Sequence, residues 1–152
     1  MIVYRFSHRK FAKDISGIGA MLNGGRWNEI GIPVLYTGST ISLALLETLV
    51  NANTLDQLKM LQLMEIVIPD DAAVFNIRLE SLKKDWKTDF GYSKYLGTEI
   101  LKSNEYLLIE CPSAVVCEER NFLINPQHAA FRSVQLRESK HFVFDERLFK
   151  YQ

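Results

Sequence analysis

The chain has 152 residues, 47% of them hydrophobic and 24% charged, with eighteen basic residues balancing eighteen acidic ones. This composition excludes general disorder. The length suits one domain, residues 1–152, that buries roughly 68–70% of the surface its unfolded form exposes. Zero net charge argues against a broad nucleic-acid or anionic-membrane surface, so neither is expected as a direct partner, although a local basic patch is compatible with it. No stretch approaches the roughly 20 apolar residues of a membrane-spanning helix. The first ten residues place their basic side chains after a short apolar run, the reverse of a secretory signal, and a cytoplasmic location is expected. Cys111 and Cys117 form no CxxC pattern, and two reduced thiols are favoured over a disulfide. His8, His128 and His141 are scattered, so no metal site is expected.

In chain order, residues 2–6 read as a short strand. Residues 16–31 hold five of the eight glycines and read as a long irregular loop whose backbone turns sharply or approaches something closely. Residues 33–37 form a strand ending at Gly38, and Ser39 or Thr40 then caps a helix running to about residue 53. A second apolar strand over 63–68 is stopped by Pro69, and residues 73–77 suggest another. Residues 79–86 and 92–103 read as helices, the second with a break near Gly97 left open. Strands are expected at 106–110 and 114–117 around Pro112, then a loop at Asn125–Pro126, then strands at 134–136 and 141–144. Strands outnumber helices without alternating with them. An α+β domain with a mixed or antiparallel sheet core and flanking helices is therefore favoured over a doubly wound sheet.

Glu47 is the most informative position, being the only charged residue between 32 and 55. Leu43, Leu46 and Val50 share its helical stripe, and a lone carboxylate there is costly unless it is paired or borders a polar cavity. A helix-end ion pair is the plainer alternative. In the run GGRWN, residues 24–28, adjacent glycines bare the main chain and Arg26 carries a planar fork of donors suited to a diphosphate or carboxylate. A β-turn with the arginine stacked on tryptophan accounts for it equally well. Gly17-Ile18-Gly19 follows no convincing strand and lacks a third glycine, so it is no dinucleotide fingerprint. Tyr36 closes a strand at the mouth of whatever Glu47 lines, as a core or rim residue or as a ring that stacks on a heteroaromatic ligand. Ser113 sits at a strand break without a nucleophile motif, which makes it a hydrogen-bonding residue rather than a nucleophile. Arg5, alone in an apolar strand, is an inward anion binder or an edge charge.

Together the blocks YRFS (4–7), GGRWN (24–28), PVLYTGSTISLALLETLV (33–50), CPSAVVCEERNFLINP (111–126) and FDERL (144–148) resemble the RES domain. The likeness runs in order over nearly the whole chain. The family is named for an arginine, a glutamate and a serine, which correspond to Arg26, Glu47 and Ser113. Cys111 departs from the small hydrophobe usual there, and this touches nothing catalytic.

The resemblance implies the toxin of a type II toxin–antitoxin pair with an ADP-ribosyltransferase-like fold, cleaving the nicotinamide–ribose bond of NAD+. NAD+ is then a substrate, with inorganic phosphate as a co-substrate in some members, and no cofactor is required. The implied partner is an Xre-type helix-turn-helix antitoxin, held in a hetero-oligomer. In this reading Glu47 stabilises the ribose cation, Arg26 and Arg5 hold the diphosphate, and Tyr36 stacks near nicotinamide. Ser113 bonds the ligand or orients Glu47, and Gly25 and Asn125 contribute to substrate binding. A mono-ADP-ribosyltransferase with a protein target would use the same site. A catalytically silent binding module on the same fold is the alternative from another class.

Overall fold

The computed structural model describes residues 1–150. Among them, strands β1 (Ile2–His8), β2 (Leu35–Gly38), β3 (Leu61–Val67), β4 (Val74–Asn76), β5 (Leu108–Pro112), β6 (Arg120–Ile124) and β7 (Gln135–His141) form one sheet in the order β4-β5-β6-β2-β1-β3-β7. Among the described residues only β4 and β5 pair in parallel. The helices are α1 (Ile18–Asn23), α2 (Ile41–Leu49), α3 (Leu55–Lys59) and α4 (Phe90–Ser103). This is the expected α+β class, with a mixed sheet.

Strand alternation explains the layering. Leu108 and Ile124 join Val3, Leu35, Met64 and Ile66 in one apolar cluster, while their neighbours Ile109 and Leu123 join Trp27, Val34, Trp86 and Leu101 in a second. Successive side chains leave opposite faces of a strand, so the central strands bury both. A third cluster (Phe6, Ala44, Leu58, Leu63 and Phe144) seats α2 and α3. Thr40 caps α2 by accepting from the Leu43 amide at 3.0 Å, the capping expected from the sequence. β1 and β2 share a single register pair, Tyr4 opposite Gly38, so the sheet is open between them.

Several elements differ from the sequence reading. Residues 79–86 are not a helix but a 3-10 turn at Leu79–Ser81 followed by further turns. Leu79, Leu82 and Trp86 mimic helical spacing, whereas Leu82 and Trp86 are buried anchors of a loop. Residues 114–117 are not a strand, because the Ser113 hydroxyl accepts from the amides of Val115 and Val116 at 3.1 and 3.0 Å. That local turn competes with pairing. The strand lies further on, at β6. The two short strands expected near the C-terminus are one, β7, whose sequence QLRESKH is polar on both faces, as suits a sheet edge. The expected helix to residue 53 stops at Leu49, and α3 follows from its own cap, Thr54. The glycine-rich loop contains α1 between Gly17 and Gly24. The open question at Gly97 is resolved, since α4 runs through it unbroken.

Candidate active site

A cleft of about 980 Å³ opens between the glycine-rich loop, α2, the N-terminal end of α4 and the β1–β2 gap. It is of the size that takes a substantial small molecule. Its charged lining is basic (Arg5, Arg26 and Lys94, with His8) except for a single carboxylate, Glu47. The chain is neutral overall, so this concentration of positive charge is local.

Glu47 projects from α2 toward the ends of β5 and β6. Its Oε1 accepts from the Ser113 hydroxyl at 2.7 Å and from the Asn121 side-chain amide at 2.6 Å. Among the described residues no hydrogen bond is made to Oε2. Both donors are neutral, so the carboxylate is paired by hydrogen bonds and the helix-end ion pair is not formed. Ser113 itself is fully buried and is not part of the cleft lining. Leu46 and Val50 are exposed, so α2 is less enclosed than its apolar sequence suggests.

On the opposite wall the sequence GGRWN forms a turn closed by an antiparallel bridge between Gly25 and Asn28. Arg26 lies over the Trp86 ring at 5.6 Å and the Phe90 ring at 5.1 Å, and its Nη1 donates to the Lys87 carbonyl at 2.9 Å. No carboxylate pairs with it among the described residues. Stacking fixes the plane of the guanidinium and leaves its charge uncompensated. The arginine is therefore stacked in a turn, on Trp86 rather than Trp27, and it also lines the cleft.

Tyr36 locks that turn. Its hydroxyl donates to Asn28 Oδ1 at 2.7 Å and accepts from the Trp27 amide at 2.9 Å. Burial pushes the phenol well above its ordinary range, so it stays neutral. The Tyr36 ring lines the cleft, but its polar end serves the protein. Gly25 is required by close approach, because a Cβ there would meet the Tyr36 hydroxyl at 2.6 Å and Asn28 Oδ1 at 2.8 Å. Gly97 on α4 lets the Trp27 carbonyl come against the helix, and the neighbouring Thr98 hydroxyl accepts from the Glu29 amide at 2.9 Å. The Arg26 turn is thus clamped between β2 and α4.

Arg5 lines the gap between β1 and β2, where its Nη1 donates to the Tyr36 carbonyl at 3.1 Å. Its Nε is buried without a partner among the described residues. Burial lowers its pKa, with Asp14 acting in the opposite sense. A cation held in this way, with a donor to spare, suits an anion better than a free edge charge does.

Asn125 is not part of the cleft lining. It is fully buried, donates to the Leu101 carbonyl and Asn104 Oδ1 at 3.1 Å each, and accepts from the Gln127 amide at 3.0 Å. Its side chain ties the end of β6 to the end of α4, which corrects its assignment to substrate binding. Asn121, Phe90 and Lys94 also line the cleft, with Trp86 packed behind Arg26, and the sequence reading does not single these residues out. An asparagine inside a strand is the signal that would have marked Asn121, since strands disfavour it. Among the described residues no three His, Cys, Asp or Glu side chains group as metal ligands, no helix is long and apolar enough to cross a membrane, and Cys111 and Cys117 are free thiols.

Comparison with known proteins shows the family and the fold. The family model described as RES domain matches residues 2–145. A Prs ADP-ribosylating toxin from Sphingobium sp. (strain YBL2) is 34% identical over 143 residues, covering 91% of this chain and 89% of that protein. Toxin Res from Yersinia enterocolitica serotype O:8 is 34% identical over 152 residues, covering 97% and 99%. Among solved structures, a chain of the M. tuberculosis MbcT-MbcA toxin-antitoxin complex superposes with a TM-score of 0.77 at 19% identity, over 93% of this chain and 84% of that one. This is a likeness of fold.

Proposed function

Since the chain belongs to the RES domain family, we propose that it is the toxin of a toxin–antitoxin pair and that it breaks the nicotinamide–ribose bond of NAD+ in the cytoplasm. The observation that carries this reading is the cleft's charge pattern, with one oriented carboxylate facing basic side chains. NAD+ presents a diphosphate to Arg26 and Arg5 and a ribose to Glu47. The bond from ribose C1′ to the nicotinamide nitrogen breaks with its electron pair moving to that nitrogen. Nicotinamide leaves neutral, and positive charge develops on C1′ and the ring oxygen. The Glu47 carboxylate, held by Ser113 and Asn121 through one oxygen, stabilises that charge and can accept from ribose hydroxyls through the other. The acceptor then bonds to C1′. Water gives ADP-ribose and a proton, and phosphate gives the corresponding ADP-ribose phosphate ester.

A protein side chain as acceptor is the second reading, favoured by the ADP-ribosylating activity named for the Sphingobium relative. A helix-turn-helix antitoxin of the Xre type that covers the cleft mouth would silence either activity, and the toxin-antitoxin complex named for the structural neighbour supports an antitoxin partner. The test is to incubate purified protein with NAD+, with and without phosphate, and to identify the products. Glu47→Gln keeps the shape and removes the charge, so turnover should fall by roughly 10²-fold or more while NAD+ still binds. Near-wild-type turnover by Glu47→Gln refutes the mechanism.

A further inference from the structure

The polar end of Asn121 raises a question that NAD+ cleavage alone does not answer. Asn121 is the second residue of β6, between Gly38 of β2 and Cys111 of β5, where neighbouring strands supply the main-chain pairing. Its side chain is not needed to satisfy the sheet. One end of the amide donates to Glu47 Oε1 at 2.6 Å, and the other end, Oδ1, is buried with no partner among the described residues. An unsatisfied buried acceptor is destabilising, and buried polar atoms are rarely left so. Turning the amide over would not help, because it would set Oδ1 against a carboxylate oxygen. The arrangement costs the fold stability and gains one contact, the donation to Glu47.

We propose that Asn121 is a positioning residue for Glu47, acting with Ser113 to hold Oε1 so that Oε2 alone is presented to the ligand. The inference rests on the NAD+ reading of the site and adds a residue to it. Two donors on one oxygen, from the ends of two different strands, fix the carboxylate plane as well as its location. A single donor would leave it free to rotate. Glu47 can then meet charge that develops late in the reaction without first reorienting.

Two variants separate positioning from general support. Asn121→Ala removes the donor. It should lower kcat by roughly 10- to 100-fold while the KM for NAD+ changes little, because the diphosphate contacts are elsewhere. Asn121→Asp keeps the size and places a second carboxylate against Glu47, so that the pair shares one proton. In its protonated state the new side chain donates to Oε1 as the amide does. The ratio of variant to wild-type kcat should be highest in acid and fall as pH rises. Arg5, Arg26 and Lys94 across the cleft, with Glu110, Arg120 and Cys111 on the adjoining strands, are common to both proteins and cancel in that ratio.

The carboxyl 13C resonance of Glu47 supplies a readout independent of activity. In Asn121→Asp it should no longer follow a single step but respond to two coupled ionisations shared with the new carboxyl. If the wild type does not cleave NAD+, the proposed function fails, and the 13C titration still decides whether the two side chains are coupled. A flat kcat ratio, a resonance that still follows a single step, or an Asn121→Ala variant within about twofold of wild-type kcat would each overturn the assignment. Should Asn121→Ala not fold, the isosteric Asn121→Asp carries the decision alone.

Discussion

Replacing Tyr36 with phenylalanine separates two roles that one side chain could serve. The ring is retained, so any stacking on a ligand survives, and only the hydroxyl is lost. That hydroxyl serves two partners at once, Asn28 Oδ1 at 2.7 Å and the Trp27 amide at 2.9 Å. Neither has an alternative within the turn, so Tyr36→Phe orphans one acceptor and one donor. Each such group costs about 1–3 kcal/mol when buried. The cleft lets water reach part of the site, which places the sum near the lower end, at about 2–3 kcal/mol. For a domain of this size that is a fall in Tm of about 5–10 °C. Because Trp27 and Asn28 flank Arg26 in the same turn, NAD+ affinity should fall as well. Thermal melts and calorimetry on the purified variant measure both quantities. A Tm within about 2 °C of wild type together with unchanged affinity would refute the latch and restore stacking as the reason for a tyrosine.

Gly97→Ala should destabilise strongly, by about 2 kcal/mol or more, and weaken NAD+ binding, since the added Cβ runs into the Trp27 carbonyl and forces α4 away from the Arg26 turn; melts and calorimetry again report it. Arg26→Lys keeps the charge but loses the planar fork that stacks between Trp86 and Phe90, so binding measured by calorimetry should weaken markedly, and equal affinities would reduce the motif to a turn. Both Tyr36 and Cys111 titrate above their ordinary values of 10.0 and 9.0, chiefly through burial. The folded state therefore holds protons that the unfolded state releases. The contribution of these two groups to stability should be constant below about pH 9 and be lost progressively above it, with Cys111→Val removing the earlier part of the loss in pH-dependent melts.

Much of the site was legible because its chemistry contradicts its surroundings. Glu47 stood out as one charge in twenty-four residues, and Arg26 followed paired glycines. Both line the cleft. What stayed hidden was set by partners distant in the chain. Asn121 reaches Glu47 across 74 residues, a contact that no local pattern reports, and the link from Ser113 across 66 residues was legible only through the resemblance to the RES domain. Asn125 misled because a buried asparagine that ties β6 to α4 is as polar and as solitary as one that binds a ligand. The fold shows the same division. β1, β2 and β3 carried apolar runs that local propensity can read, whereas β7 is an edge whose polar middle split it into two expected strands. The segment 79–86 borrowed a helical period from residues that anchor a loop.

The strand order also bears on the moment at which the site comes into being. β6 lies between β5 and β2, so a strand made late in the chain is inserted beside one made early. A nascent chain therefore exposes Arg5, Arg26 and Glu47 to the ribosome's surroundings long before Asn121 emerges, and until then β2 has no neighbour on that side. Such non-local pairing is slow to form and cannot be anticipated by any N-terminal fragment. Truncated translation products ending before residue 120 lack β6 and with it the Asn121 donor to Glu47, so the carboxylate is not held in them as it is in the folded chain.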